Sequence, residues 1–127
     1  MQPDDRDAAH LWDMLGAARE ARAIVEGVPL DHFLGDSLRR RALERVVEIL
    51  GEAARRVTPE FQAASAEIDW RGLIGQRNIL AHEYGRINHR LLYDAASKRL
   101  PALIDALERI IGAEPKTRKN GCSSTRT

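Results

Sequence analysis

The segment RNILAHEY, residues 77–84, brings together side chains that could cleave a phosphodiester. Arg77 carries a permanently charged fork of N–H donors that matches the oxygens of a phosphate. Histidine is the side chain that exchanges a proton near neutral pH, which would make His82 a proton donor or acceptor. In RNA the neighbouring 2′-OH can be the nucleophile, so neither a metal ion nor an activated water is obligatory. Arg77 would stabilise charge on the phosphate, and Asn78 could hydrogen-bond the phosphate or orient the histidine.

The spacing of Arg77 and His82 poses a geometric problem. Five residues of straight α-helix correspond to a rotation of about 500° and a rise of about 7.5 Å, so the two side chains point about 140° apart. One unbroken helix would not aim both at one small target. Either the helix frays at His82 and turns that side chain back, or two copies of the chain meet along this helix and form a composite site.

Each of these residues also has a purely structural interpretation. Arg77 could pair with Glu83 or with an acid on another helix, and His82 could be a helix-end histidine favoured by the macrodipole. Tyr84 could belong to the core, with its hydroxyl group at the surface. An arginine and a histidine five residues apart occur often by chance, so the spacing alone does not establish a site.

The composition limits the class of protein. A chain of 127 residues with 43% hydrophobic side chains suits one domain with one core. Alanine, leucine, arginine and glutamate dominate, whereas aromatic residues make up 5%, and this mixture favours helix over strand. With 20 basic and 19 acidic side chains the net charge is +1, so any contact with RNA would need a local basic patch.

The sequence predicts neither a membrane segment nor a metal centre. The N-terminus is acidic and lacks the apolar region of a signal peptide, and no apolar run approaches the roughly 20 residues of a membrane helix. The one cysteine, Cys122, cannot form a disulfide within the chain, which fits a reducing cytoplasm. The histidines do not share a helical ligand spacing, and no carboxylate cluster joins them. The histidines are His10, His32, His82 and His89.

Helical periodicity and capping residues predict the elements that must position the motif. We expect short helical segments at residues 29–36 and from Thr58 onward, no strands, and longer helices over residues 4–26, 37–57, 70–81, 88–99 and 102–111. Pro101 should mark a kink or a restart, and Gly85 is expected as the C′ residue after the helix over 70–81. Amphipathic helices with short connections form an antiparallel bundle, so the fold class is all-α.

The helix over residues 37–57 has a predicted core stripe at helical spacing. Its members are Leu38, Ala42, Val46, Ile49, Leu50, Ala53 and Val57. Gly51 lies inside this helix, where glycine costs about 1 kcal/mol relative to alanine, and a close helix crossing would explain it. The polar, basic residues 113–127 are expected to be a disordered tail after a single domain over residues 1–112.

Two longer stretches around the motif indicate a protein family more specifically than the spacing of Arg77 and His82 alone. LERVVEILGEAARRVTPEF, residues 43–61, and IDWRGLIGQRNILAHEYGRIN, residues 68–88, resemble the HepT-like toxin family of the HEPN superfamily. The resemblance covers roughly residues 11–111. The motifs that carry it are E-x-x-G-E-A at 48–53, WR at 70–71 and G-x-RN-x3-H-x-Y at 75–84.

The resemblance implies a dimeric helical bundle in which the R-x4-H motifs of two subunits line a shared cleft. It implies a metal-independent endoribonuclease without a cofactor, which acts as the toxin of a type VII-like toxin–antitoxin system through Arg77 and His82. The antitoxin would be an MntA-type nucleotidyltransferase that transfers AMP to Tyr84. A bulky negative group there would compete with the RNA phosphate for Arg77.

Several residues and one further function stay open. Arg71 and Arg86 could widen a basic patch for the RNA backbone or form surface salt bridges. Glu48 and Glu52 could pair with arginines, including Arg77, in a structural role. The alternative function is a helical substrate-binding or regulatory subunit of a nucleotidyltransferase, without catalysis of its own.

Overall fold

The structure, a computed structural model, describes residues 2–112, and for Tyr84 it describes the backbone alone. Over these residues the chain forms helices and no strands, as predicted. The α-helices are α1 (Asp5–Val25), α2 (Leu30–Gly35), α3 (Ser37–Arg56), α4 (Pro59–Ala64), α5 (Trp70–His82), α6 (His89–Asp94) and α7 (Leu100–Ile111). A 3-10 turn, Tyr84–Arg86, links α5 to α6, and a π-helical segment, Ala95–Arg99, joins α6 to α7. The tail predicted for residues 113–127 lies outside the described residues.

Short polar side chains fix where the helices begin. In each case the side chain accepts a hydrogen bond from a backbone N–H of the first turn, which that turn cannot satisfy itself. The capping residues are Asp4, Asp36, Thr58, Asp69 and Asn88. Because this signal is local, the predicted starts of these five helices agree with the structure to within one residue, whereas α7, which has no such cap, starts two residues before its predicted start.

Two glycines lie close to helix ends, and the prediction for one of them, Gly85, was wrong. Gly27 follows α1 with φ of 74°, a left-handed conformation that glycine adopts without steric cost. Gly85 is not the C′ residue of α5, because it lies inside the 3-10 turn and Glu83 caps the helix. The backbone N–H of Glu83 donates to Ile79, and that of Arg86 then donates to Glu83.

The core forms where α1 packs against α3 and α7. The α1 and α3 helices run antiparallel, because Asp7 near the start of α1 meets Thr58 after α3. At the other end, Arg39 donates to the carbonyl of Ile24. Fully buried side chains from these and neighbouring helices fill the space, among them Leu11, Met14, Leu15, Phe33, Leu43, Leu50, Phe61, Leu92 and Leu107. None of the helices described over residues 2–112 is long and apolar enough to cross a membrane.

One buried carboxylate ties α1 to α4. Asp7 is 2% exposed and accepts the backbone N–H of Thr58 at 3.0 Å and the Thr58 hydroxyl at 2.7 Å. The same Thr58 hydroxyl oxygen accepts the N–H of Phe61 and so caps α4. A buried carboxylate needs such donors, because leaving its oxygens unsatisfied would cost several kcal/mol.

The predicted core stripe of α3 is partly wrong. Leu38, Ala42 and Ile49 are exposed, and Leu38 is 79% exposed. The predicted members Leu50, Ala53 and Val57 are buried as expected, and Leu43 and Ala54 are buried beside them. The exposed apolar side chains Leu38, Ala42 and Ile49 form an outward stripe on α3, next to the side that packs into the core of this chain.

Pro101 restarts the last helix without breaking it. Proline has no N–H, and its ring crowds the carbonyl four residues earlier, which is that of Ser97. The helix widens by one residue just before the proline, where the N–H of Leu100 donates to Ala95. The Ser97 hydroxyl donates to the carbonyl of Tyr93 at 2.9 Å. The expected kink or restart thus takes the form of a π-helical segment.

Candidate functional site

The R-x4-H motif lies in the second half of α5. This helix continues without a break to His82, its last residue, so the helix does not fray before the histidine. Arg77 is half-buried against α3, whereas His82 is exposed. A regular helix directs these two side chains about 140° apart, so one protomer does not point both at the same phosphate.

A glycine lets α5 approach α3 closely at Arg77. A Cβ atom built on Gly51 would lie 2.3 Å from the Cβ of Arg77 and 2.6 Å from the carbonyl oxygen of Leu73. Real side chains do not approach so closely, so only glycine fits at this crossing. The predicted close crossing is confirmed, and its effect is to hold the stem of Arg77 against α3.

The guanidinium group of Arg77 is held from two sides. Its Nε lies 3.1 Å from Oε1 of Glu52, and its Nη1 donates to Oδ1 of Asn78 at 3.1 Å. The Nε–H does not point at the carboxylate, so that contact is ionic without being a hydrogen bond. Among the described residues Nη2 has no hydrogen-bond partner, which leaves its N–H groups available to an anion. Of the structural interpretations of Arg77, pairing with an acid on another helix is the correct one.

Glu52 is the centre of a cluster of three arginines. Arg55 donates to both carboxylate oxygens, at 3.1 and 2.8 Å, and the Nε of Arg56 donates to Oε2 at 2.8 Å. Hydrogen bonds from Arg55 and Arg56, aided by the charges of Arg55 and Arg77, lower the pKa of Glu52 to about 2. The carboxylate is therefore ionised at neutral pH, and the four side chains together carry a net charge of +2.

A groove of about 520 Å³ lies between α1 and α3 and reaches Arg77. Trp12, which is 47% exposed, stands on its α1 side, and Ile49 lies on its α3 side. The charged lining is mixed, with acids from α1 and α3 and arginines from α3 and α5. The charged residues are Asp13, Glu20, Glu48 and Glu52 together with Arg45, Arg56 and Arg77. The groove thus joins the arginine cluster to an exposed aromatic ring.

The other predicted site residues lie around the end of α5. The side-chain oxygen of Asn78 accepts a hydrogen bond from the guanidinium group of Arg77. The backbone of Tyr84 lies in the 3-10 turn, two residues beyond His82. Arg86 forms an ion pair with Glu83 at 2.5 Å, whereas Arg71 is exposed in the first turn of α5 and pairs with no described residue. The structure therefore joins Arg77 with Asn78 and places His82, Tyr84 and Arg86 at the far end of the helix.

Sequence reasoning missed Arg56 and Trp12. The other tryptophan, Trp70, is 7% exposed and donates its indole N–H to the carbonyl of Ser65, so it belongs to the core. The sequence did contain a signal for Arg56, because its spacing of three and four residues places it on the same face of α3 as Ile49 and Glu52. Within residues 2–112 no group of three His, Cys, Asp or Glu residues is arranged to hold a metal ion.

The chain is similar to known proteins. The family model described as "Ribonuclease HepT-like" matches residues 14–110. A protein of Caldanaerobacter subterraneus subsp. tengcongensis named "Putative RNase TTE0752" is 31% identical over 90 residues, 71% of this chain and 80% of that protein. "Putative RNase MJ1380" of Methanocaldococcus jannaschii is 29% identical over 100 residues, 79% of this chain and 92% of that protein. "Probable ribonuclease HepT" of Thermococcus cleftensis is 27% identical over 101 residues, 80% and 92% of the respective chains. No solved structure matches the chain.

Proposed function

Because the chain belongs to the ribonuclease HepT-like family, we propose that it is an endoribonuclease that cleaves RNA with Arg77 and His82. The observation that carries this proposal is the state of Arg77. Its Nε and Nη1 are held by Glu52 and Asn78, whereas Nη2 remains available to a phosphate oxygen. An arginine held in this way is ready to bind an anion and loses little rotamer entropy on binding it.

The proposed reaction needs no metal ion. The 2′-oxygen attacks the adjacent phosphorus, and the bond from phosphorus to the 5′-oxygen of the next nucleotide breaks. The products are a 2′,3′-cyclic phosphate and a free 5′-hydroxyl group. His82 takes the 2′-OH proton or gives a proton to the leaving oxygen, and Arg77 stabilises the negative charge that grows on the phosphate oxygens.

The site is proposed to be composite, with Arg77 from one copy and His82 from the other. The unbroken α5 helix supports this, because it points the two side chains of one chain apart. The outward stripe of α3 offers a surface on which a second copy could pack. Its members, spaced by four and seven residues as in a coiled-coil seam, are the exposed apolar side chains Leu38, Ala42 and Ile49. A homodimer formed there would bring two copies of Arg77 near each other.

Control of the enzyme is proposed to act through Tyr84. In a type VII-like toxin–antitoxin pair, an MntA-type nucleotidyltransferase would join the tyrosine oxygen to the α-phosphate of ATP and release pyrophosphate. The AMP group would add a phosphate two residues from His82, where it could bind Arg77 in place of RNA. The toxin and its partner would act in the cytoplasm.

The test is cleavage of a short single-stranded RNA by purified wild type, Arg77→Ala and His82→Ala. Wild type should cut in the presence of EDTA and leave cyclic phosphate ends, and both variants should lose at least about 100-fold in rate. A strand with one 2′-deoxy nucleotide at the cut site should resist cleavage at that position. Wild type that leaves the RNA intact would favour the non-catalytic subunit of a nucleotidyltransferase instead. Variants that cut as fast as wild type would contradict the roles of Arg77 and His82.

A further inference from the structure

Three arginines meet at Glu52, but they use their N–H groups differently. Arg55 engages both carboxylate oxygens with Nε and Nη2, so its fork is occupied. Arg56 donates through Nε alone and, among described residues, its two terminal nitrogens have no hydrogen-bond partner. Arg56 therefore has free donors, as Arg77 does at Nη2.

The two arginines with free donors also share one surface. Arg56 and Arg77 both line the groove between α1 and α3, whereas Arg55 does not. Each lies about 3 Å from the same carboxylate, with Arg56 at 2.8 Å and Arg77 at 3.1 Å. A chain of phosphates lying in the groove could thus meet two guanidinium groups in succession.

We propose that Arg56 binds a second phosphate of the RNA backbone, next to the one held by Arg77, and that Glu52 fixes the spacing of the two guanidinium groups. The inference rests on the proposed function, because the phosphate at Arg77 is the one to be cleaved. Arg56 is a binding residue and Glu52 a positioning residue. Within the groove, Arg56 and Arg77 together outweigh Glu52 by one positive charge, and their free N–H groups can bind the phosphate oxygens.

The first test measures binding of an uncleavable single strand, a 2′-O-methyl oligonucleotide, to the full-length protein at several salt concentrations. Each phosphate contact to a single strand contributes about 0.7 to the slope of log K against log salt. Arg56→Gln should reduce the slope by about 0.7 and weaken binding about fivefold at 0.1 M salt. Arg55→Gln is the matched control, because it removes the same charge from the same carboxylate one residue away. It should leave the slope unchanged.

Two results would overturn the inference. In one, Arg56→Gln keeps the wild-type slope, so no phosphate contact is lost. In the other, Arg55→Gln and Arg56→Gln lower the slope equally, which would make the effect a general loss of positive charge. Because the strand cannot be cleaved, this measurement does not depend on catalysis. A protein that shows the expected slopes but cuts no RNA would therefore refute the proposed function alone.

The second test separates positioning by Glu52 from a merely structural role. Glu52→Gln raises the charge of the cluster by one, so the RNA should bind more tightly and KM should fall. Arg77 loses its ionic anchor, so kcat should fall as well. A merely structural role predicts a higher KM, so the direction of the change in KM separates the two roles. Glu52→Asp keeps the negative charge and should recover part of kcat. If Glu52→Asp has a kcat no higher than that of Glu52→Gln, Glu52 does not position Arg77.

Discussion

At the residue scale, the position of the Arg77 guanidinium group depends on the residues that surround it. Glu52 holds Nε, Asn78 holds Nη1, and the crossing at Gly51 fixes the stem of the side chain. The two side chains proposed to act on RNA, Arg77 and His82, thus differ in how freely they can move. Arg77 is confined, while His82 stands exposed at the end of α5. We expect the arginine to set where the phosphate lies and the histidine to adjust to it.

The pH dependence of stability should reveal the charge of Glu52. The arginines lower its pKa from 4.5 to about 2 in the folded protein, so its contribution to stability is present above pH 4.5 and is lost as the pH falls toward 2. Urea unfolding of wild type and Glu52→Gln should therefore differ most at pH 6, and the difference should shrink at pH 3. Glu48→Gln, one turn earlier on α3, gives the background effect of acid. A difference that stays constant with pH would contradict the assignment.

The R-x4-H motif could be identified from the sequence because the chemistry of arginine and histidine follows from their residue types. The partners of Arg77 could be suggested but not decided, since Glu83 and Glu52 were both candidates and only packing brings Glu52 to 3.1 Å. Arg56 shares a helix face with Ile49 and Glu52, but it was missed because the sequence does not show that this face lines a groove.

At the element scale, the contact of α3 with α5 positions the site. The predicted starts of α4, α5 and α6 were correct because the caps Thr58, Asp69 and Asn88 act on their own first turns. The predicted stripe of α3 was right for Leu50, Ala53 and Val57 and wrong for the outward stripe, because the sequence does not tell which apolar side chains of a helix face the core.

Adding one methyl group should show how closely α3 and α5 must approach. Gly51→Ala forces atoms apart at the crossing, so we expect a loss of about 1–3 kcal/mol in unfolding free energy in spite of the higher helix propensity of alanine. Gly75→Ala, on α5 with open space around its Cβ, is the control and should gain about 1 kcal/mol. Urea titrations measure both. Equal stability of the two variants would mean that the crossing is not tight.

At the scale of the whole molecule, the outward stripe of α3 gives the proposed dimer its surface. Leu38 and Ile49 are large, apolar and exposed at coiled-coil spacing, an arrangement that favours a helical partner. Single residues of this kind are common on protein surfaces, but a repeating stripe is not. Sequence periodicity predicted Leu38, Ala42 and Ile49 to be core residues, and the structure shows them at the surface.

Charges placed on this stripe should separate the proposed dimer. Leu38→Glu would bury a carboxylate between two copies, so sedimentation should show a monomer, and RNA cleavage should fall with it. Leu91→Glu is the control, because Leu91 is 62% exposed on α6, away from the stripe. This variant should keep the oligomeric state of wild type. Should Leu38→Glu sediment as wild type does, the dimer surface would have to lie elsewhere.

The composite site is tested most directly by mixing two inactive proteins. Arg77→Ala and His82→Ala, unfolded and refolded together, would form mixed dimers in which one of the two sites has both an intact arginine and an intact histidine. Half of the dimers would be mixed, each with one of two sites restored, so RNA cleavage should return to roughly a quarter of the wild-type rate. If Arg77 and His82 instead act within one chain, every site in the mixture lacks one residue, and the mixture would stay as inactive as its components.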